Sequence, residues 1–389
     1  MPLLNRAIDM QEEVAQWRRH LHQHPELMFD VHQTAQFVAE KLREFGCDEI
    51  VTGIGRTGVV GIIRGARGEG ATIGLRSDMD ALPLVEITGK PWASRTAGKM
   101  HACGHDGHMA MLLGAARYLA ETRNFSGSVA IIFQPAEEGG GGGREMVKDG
   151  LMERFAISEV YGMHNIPGLA VGEFAICKGP IMAATDEFNI TIDGKGGHAA
   201  QPHTTIDPVV IGAQLVGALQ TIVSRGTDPL DSIVLSVTKF HAGDAHNIIP
   251  EKAELAGTVR TLRAESRDFA ERRIKQAAEG LASAFGGRIE VEYVRNYPVT
   301  FNHGRETEFA TKIARAVAGD GLVDDEAAPM MAGEDFSYML EARPGAFIFI
   351  GNGVSASLHN PAYDFNDEAI PHGISYWVQL AENALAPAA

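Results

Sequence analysis

Cysteine is scarce in this chain of 389 residues, which carries only Cys47, Cys103 and Cys177. So low and odd a count builds no disulfide framework and fits reduced thiols in a cytosol, so a cytoplasmic location is expected. Positive charge is in deficit too: 34 Lys and Arg against 50 Asp and Glu give a formal net charge of −16. A surface that acidic repels phosphate backbones and anionic bilayers, which leaves no nucleic acid and no membrane among the expected partners. The first residues show no basic region leading into an apolar one, so no signal peptide is read. No uninterrupted apolar stretch approaches the ~20 residues that span a bilayer. Internal repeats are absent, and low complexity is confined to Gly139–Gly143. What remains is an ordinary globular composition, 45% hydrophobic and 22% charged. Its length exceeds one typical core, so two domains are expected.

The first part of the chain alternates helices and strands. Val14, Trp17 and Leu21 share one helical face, as do Val38, Leu42 and Phe45, with Gly46 ending that helix. Met109, Leu112, Ala116 and Leu119 mark another helix. Short apolar runs at Val59–Ile63, Ala71–Leu75, Val129–Phe133 and Val160–Tyr161 read as buried strands of a largely parallel sheet. From about Ala183 the order becomes β-α-β-β-α-β, the split-βαβ, ferredoxin-like arrangement, with Asp207 capping a helix whose first residue is Pro208. After Pro298 the α/β alternation resumes. The fold class is therefore α/β, a mostly parallel-sheet domain over 1–182 and 298–389 with an inserted α+β module over 183–297.

The densest polar cluster is His101-Ala-Cys103-Gly-His105-Asp106-Gly-His108, just before a helix. Cys103 and His105 are metal donors spaced to converge on one centre, while His101 and His108 are read as structural. Gln134-Pro-Ala-Glu137-Glu138 follows an apolar strand, where open α/β sheets place their sites. Two adjacent carboxylates there can divide the work, one ligating a metal and one moving protons. Adjacent acids usually mark only a solvated loop; at a strand end beside a Cys/His cluster the signal for a metal site becomes strong. His164 follows the short strand containing Val160, and His359 follows the strand Ala346–Ile350. Either histidine by itself reads as an ordinary loop residue; together they supply the fourth and fifth donors. Asp78 and Asp80 close a strand and are candidates to orient a metal-bound imidazole, since ligating imidazoles usually need a carboxylate on the other ring nitrogen.

HACGHD, QPAEE, GMHN and LHNP, in that order and spacing, resemble the N-acyl-amino-acid amidohydrolases. This family of dinuclear metallopeptidases includes hippurate hydrolase, aminoacylases and the plant hydrolases of indoleacetyl-amino-acid conjugates. RRHLHQHPEL, RSDMDALP, GKGGHAAQPH and AGEDF extend the likeness along nearly the whole chain. The resemblance implies a di-metal catalytic domain carrying a lid that dimerises. It implies Cys103, His105, Glu138, His164 and His359 as ligands of two divalent ions per subunit, manganese or zinc, with cobalt and nickel admissible. It gives Glu137 the general acid/base place, Asp80 the place of the carboxylate that supports the ligands, and Asp78 the position where the wider clan has a His ligand. In the lid, it implies that His198 reaches the partner subunit's site and that Asn247 and Arg260 contact substrate. The roles of Glu334 and Asp335 stay open. A homodimer, or a tetramer, through the lid is expected.

The chemistry implied is amide hydrolysis of N-acyl-L-amino acids, hippurate-like or N-acetylated, to a carboxylic acid and a free amino acid. Two metals can lower the pKa of a bridging water and polarise the carbonyl. Glu137 would take the water's proton and pass it to the amine, His198 would donate to the oxyanion, and Arg260 would hold the α-carboxylate. Alternatives are a dipeptidase or carboxypeptidase using the same site, a thiol hydrolase with Cys103 as nucleophile, and a non-catalytic binding relative. Two further motifs are set aside. Gly53-Ile-Gly55-Arg-Thr-Gly58 spells a dinucleotide fingerprint, but an apolar strand follows it where a helix is required. The run Gly139–Gly143 lacks a following Lys-Ser/Thr and reads as a mobile loop beside Glu138.

Overall fold

The structure is a computed structural model and describes residues 3–387. The described chain divides into two compact units. The first runs to Ile181 and resumes over Phe301–Ala328 and from Asp335 onward; the second comprises Met182–Thr300 and Pro329–Glu334.

The first unit is built on an eight-stranded sheet. In spatial order its strands are Glu49–Ile54, Gly58–Arg64, Ser128–Gln134, Thr72–Asp78, Ile157–Ile166, Gly345–Gly351, Phe174–Ala175 and Val323–Asp324. The central four are mutually parallel, while Glu49–Ile54 and Gly58–Arg64 add an antiparallel edge. Runs such as Val129–Phe133 and Ala346–Ile350 are wholly buried, which fits strands covered on both faces. The cover includes the helices Gln11–Gln23, His32–Glu44, His105–Thr122 and Ile370–Ala384, whose apolar faces share one core with the sheet. The glycine-rich segment before Gly58 joins two antiparallel strands through a bulged register, so a strand follows it, as its rejection as a dinucleotide fingerprint requires.

Two sequence readings are corrected, one of a strand and one of a loop. Ile157–Ile166 is ten residues long, so His164 lies within the strand, opposite Phe349, rather than after it. The apolar signal fades at Gly162-Met-His-Asn165, yet His164 and Asn165 are buried because this strand end is itself part of the site. The run Gly139–Gly143 is a packed turn rather than a free loop. Its last two glycines open the helix Gly142–Lys148, and a Cβ at Gly142 would stand 1.7 Å from the Pro135 carbonyl oxygen.

A fully buried Arg18 ties the helix Gln11–Gln23 to the rest of the unit. It donates from Nε to Asp367 Oδ1 (2.8 Å) and from Nη2 to Asp367 Oδ2 (3.1 Å), and lies 3.5 Å from Asp106. Removing one partner of a buried ionic network strands the others. Arg18→Ala is therefore expected to cost about 3–5 kcal/mol, read as a lowered urea midpoint with unchanged slope.

In the second unit the strands stand in the order Ile233–Ala242, Lys252–Thr261, Ala184–Asp193, Arg288–Arg295, all antiparallel. With the helices Pro208–Thr221 and Ala264–Phe285 this is the β-α-β-β-α-β sandwich. Asp207 Oδ1 accepts from the backbone N–H of Val209 and of Val210, capping the helix that Pro208 begins. By length and composition, Pro208–Gly226 is apolar enough to cross a bilayer, which the sequence expectation missed because Gly212, Gln214 and Gln220 interrupt the run. Its Ile211, Leu215 and Leu219 are buried in the core of this unit.

Candidate metal centre

The parallel strands deliver the functional side chains to one end of the sheet. Cys103 and His105 sit at the start of the helix His105–Thr122, Glu137 and Glu138 just past the strand Ser128–Gln134, and His164 near the end of its own strand. His359 lies in the loop after Gly345–Gly351, with its backbone N–H donating to the Ala102 carbonyl (2.8 Å). Cys103, His105 and His164 place one donor atom each within 4.8 Å of one another, and so do Cys103, Glu138 and His359. Cys103 thus belongs to both groups. His105, Glu137 and Glu138 form a third.

Local backbone geometry serves this convergence. Gly104, between the two motif donors, has φ +87°, and a Cβ there would stand 2.2 Å from Asn165 Nδ2 and 2.5 Å from Tyr363 Oη. Ala136, before Glu137, has φ 53°, and His359 itself has φ 61°. Left-handed backbone at two non-glycine residues costs about 1–3 kcal/mol each and is held by its surroundings, a mark of functional sites.

The hydrogen bonds fix the imidazole tautomers. His105 Nδ1 faces the Asp80 carbonyl at 2.7 Å and His164 Nδ1 faces the Asn165 carbonyl at 2.6 Å. A carbonyl can only accept, so each Nδ1 carries the proton and each Nε2 presents a lone pair. His105 Nε2 is buried without a hydrogen-bond partner, Glu138 Oε1 has His359 Nε2 beside it at 3.3 Å, and His164 Nε2 lies 3.4 Å from Cys103 Sγ. An orphaned imidazole lone pair and a sparsely satisfied carboxylate beside a thiol are the donor set a thiophilic divalent cation requires, so the residues fit a metal.

Asp80 supports the site differently from the expected carboxylate–imidazole contact. Its carbonyl meets His105, while its carboxylate is 3.8 Å from that ring and instead accepts the backbone N–H of Glu137 (2.8 Å) and of Glu138 (3.1 Å). Asp78, a possible donor beside His105 and His108, is engaged on both oxygens. Oδ1 is taken by His108 Nδ1 at 2.7 Å and Oδ2 by Arg76 Nη1 at 2.8 Å. Burial raises the Asp78 carboxyl, but His105, His108 and Arg76 outweigh it and hold it well below the usual range.

Burial pushes the Cys103 thiol well up, with the charges of Glu138 and Glu137 adding to the rise. Burial likewise holds His164 well below its ordinary value, aided by His108. A thiol and a neutral imidazole are the opposite of the thiolate–imidazolium pair a cysteine nucleophile needs. Burial opposes ionisation of Glu138, yet its hydrogen bond with His359 and the charge of His105 lower it on balance; His359 Nε2 is 3.3 Å from Glu138 Oε1.

Peptidase family M20/M25/M40 matches residues 74–383. The chain belongs to this family. It is 42% identical over 383 residues to the hippurate hydrolase of Campylobacter jejuni, covering 98% of this chain and 99% of that one. It is 41% identical over 370 residues to an N-acetyl-L-cysteine deacetylase of Bacillus subtilis, covering 95% and 87%. A solved Bacillus subtilis structure, described as a dinuclear metal binding peptidase of the M20 family, superposes with a TM-score of 0.86 at 34% identity, covering 98% of this chain and 100% of that one. This M20 chain is accordingly a hydrolase of the metal-dependent amidohydrolase and peptidase kind.

His198, Asn247 and Arg260 lie in the second unit. His198 pairs with Ile248 across a two-residue bridge, and Ala199 N–H donates to the Asn247 carbonyl, so these two are neighbours. Arg260 lies half-buried on the strand Lys252–Thr261, and burial lowers its pKa. Its acidic neighbour Asp186 is already engaged by Arg267 and by Tyr293 Oη. Gly333 of the AGEDF motif lies close to Arg260: a Cβ there would stand 3.6 Å from Nη1. Asp335, whose role the sequence left open, is buried in the first unit and accepts from Arg76, Gln134 and the Gly143 N–H. Arg76, His108, Asn165 and Tyr363 were not singled out for the site from sequence. Asn165 and His108 carried a signal in GMHN and HACGHDGH, whereas Tyr363 carried none.

Proposed function

We propose that this M20 chain hydrolyses the amide bond of N-acyl-L-amino acids, hippurate-like or N-acetylated, releasing a carboxylic acid and a free amino acid. The observation that carries the reading is the adjacency of Glu137 to a five-donor cluster, Cys103, His105, Glu138, His164 and His359, that can be completed without it. A carboxylate left over from ligation is what a proton shuttle needs. When bound, two divalent ions, zinc or manganese, supply Lewis acidity that activates water and polarises the amide carbonyl. Glu137 then accepts the proton of the attacking water and returns it to the departing amine. His198 donates to the developing oxyanion, a contribution of about 3–4 kcal/mol for one donor. Arg260, for which no ion pair is found among the described residues, holds the α-carboxylate with its fork, and Asn247 contacts the substrate beside it. Similarity to a hippurate hydrolase and a deacetylase supports acylated amino acids as substrates. The reading includes a cytoplasmic homodimer formed through the second unit.

The test is a panel of benzoyl-, acetyl- and indoleacetyl-amino acids and unblocked dipeptides. It is run on protein stripped by chelator and reloaded with zinc, manganese, cobalt or nickel singly. Stripping is expected to abolish turnover and at least one ion to restore it, with acylated amino acids cleaved faster than dipeptides. Turnover that survives stripping sinks the metal reading; a preference for dipeptides replaces the substrate class with a peptidase one.

A further inference from the structure

One buried network in the first unit is used by none of the steps above, and it ends on two of the metal donors. Arg76 donates from Nη2 to Asp335 Oδ1 (3.1 Å), from Nε to Gln134 Oε1 (2.9 Å) and from Nη1 to Asp78 Oδ2 (2.8 Å). Asp78 Oδ1 receives His108 Nδ1–H at 2.7 Å. His108 Nε2 in turn accepts from the Asn165 backbone N–H and from Asn165 Nδ2, both at 2.9 Å. A backbone N–H can only donate, so the His108 tautomer is fixed and no lone pair of that ring is left for a metal.

Asn165 is the hub. Its Nδ2 also donates to the Cys103 carbonyl at 2.7 Å, and its Oδ1 accepts from Tyr363 Oη at 2.7 Å. Its own carbonyl takes the His164 Nδ1–H at 2.6 Å. Every polar group of Asn165 is therefore committed, three of them directly to His164, to Cys103 or to the His108 ring. Arg76, Asp78, His108, Asn165 and Asp335 are all essentially inaccessible to solvent. A half-satisfied buried network is costly, so so many matched donors and acceptors specify one arrangement.

We propose that His108 and Asn165, braced by Tyr363 and by the Arg76–Asp78–Asp335 cluster, form a clamp that positions Cys103 and His164 for one of the two metal ions. Of the ligands it touches, His164 serves one ion alone while Cys103 serves both, and among the described residues the clamp makes no hydrogen bond to Glu138 or His359, so the other ion depends on it less. His108 and Asn165 are positioning residues that act through the ligands. The inference rests on the metal reading of the same site.

The experiment titrates chelator-stripped wild-type, His108→Phe, His108→Gln and Tyr363→Phe proteins with Zn²⁺ by calorimetry against a competing chelator, with near-ultraviolet circular dichroism as the check on folding. Wild type is expected to bind two ions. His108→Phe keeps a ring but no acceptor and is expected to weaken one of the two about 10–100-fold, leaving the other near wild type. His108→Gln offers an amide oxygen to the Asn165 N–H and is expected to recover that ion to within about threefold of wild type. Tyr363→Phe removes only a hydroxyl and weakens the same ion more mildly, which keeps the test intact if His108→Phe does not fold. Two ions bound as tightly by folded His108→Phe and Tyr363→Phe as by wild type overturn the clamp alone. Equal weakening of both ions, or no recovery in His108→Gln, also overturns it. A wild-type chain that binds no divalent ion removes the metal reading, and the clamp with it.

Discussion

Glu137→Ala is expected to lower kcat by about 10²–10⁴-fold while both metal stoichiometry and ligand binding persist. The geometry separates these effects. Cys103 with His105 and His164, and Cys103 with Glu138 and His359, each close a donor group without Glu137. Its place is set by the backbone: Asp80 accepts the Glu137 N–H, and the left-handed Ala136 turns the chain just before it. Truncating the side chain leaves that backbone support in place. Glu137→Gln, which keeps size but cannot accept a proton, should be nearly as inactive. Turnover of N-acyl amino acids by the loaded variants at wild-type rates contradicts the proton-shuttle role. Lost metal together with lost activity would instead make Glu137 a ligand. The outcome also bears on the binding-relative alternative, since a pure binder shows no wild-type turnover to lose.

Much of this site is legible in the sequence because its donors cluster within short motifs at strand ends. The buried runs Val129–Phe133 and Ala346–Ile350 end just before Glu137 and upstream of His359, and open α/β sheets collect function at those ends. The inserted module is legible for a similar reason: alternation at Phe188, Ile190 and Ile192 and the cap at Asp207 are local signals that agree with the tertiary structure. What escapes is long-range. Asp335 meets Arg76 across 259 residues, and Tyr363 meets Asn165 across 198, and no spacing rule anticipates either. The strand Glu49–Ile54 is missed because it is short, half-exposed and leads straight into a glycine-rich hairpin. His164 is displaced out of its strand because a histidine and an asparagine look like loop residues until their hydrogen bonds are seen. The glycine run is misread as mobile because composition alone cannot distinguish freedom from close packing. Gly142 is tight against Pro135, and Gly143 against Asp335.

Cys103 offers the sharpest separation between a metal hydrolase and a thiol hydrolase. Cys103→Ala is expected to abolish turnover on either reading, because it removes the donor common to both three-residue groups. Cys103→Asp divides the readings. A carboxylate supplies an anionic oxygen where the sulfur stood and can still serve both groups, but it cannot act as a thiol nucleophile. On the metal reading, Cys103→Asp retains two ions and measurable turnover, with preference moved from zinc toward the harder manganese, since oxygen donors suit manganese better than thiolate does. On the thiol reading it is as inactive as Cys103→Ala, whatever metal is supplied. The surroundings already favour the first outcome. Burial and the neighbouring carboxylates Glu138 and Glu137 oppose a free thiolate at Cys103, and His164 spends its only proton on the Asn165 carbonyl, leaving a lone pair toward the sulfur. The largest influences there all oppose a negative sulfur, and a coordinated thiol loses its proton outright. Metal content and steady-state rates of the two variants, compared in zinc and in manganese, decide the matter. Equal inactivity of Cys103→Asp and Cys103→Ala, with two ions bound to the former, would reinstate the sulfur as nucleophile.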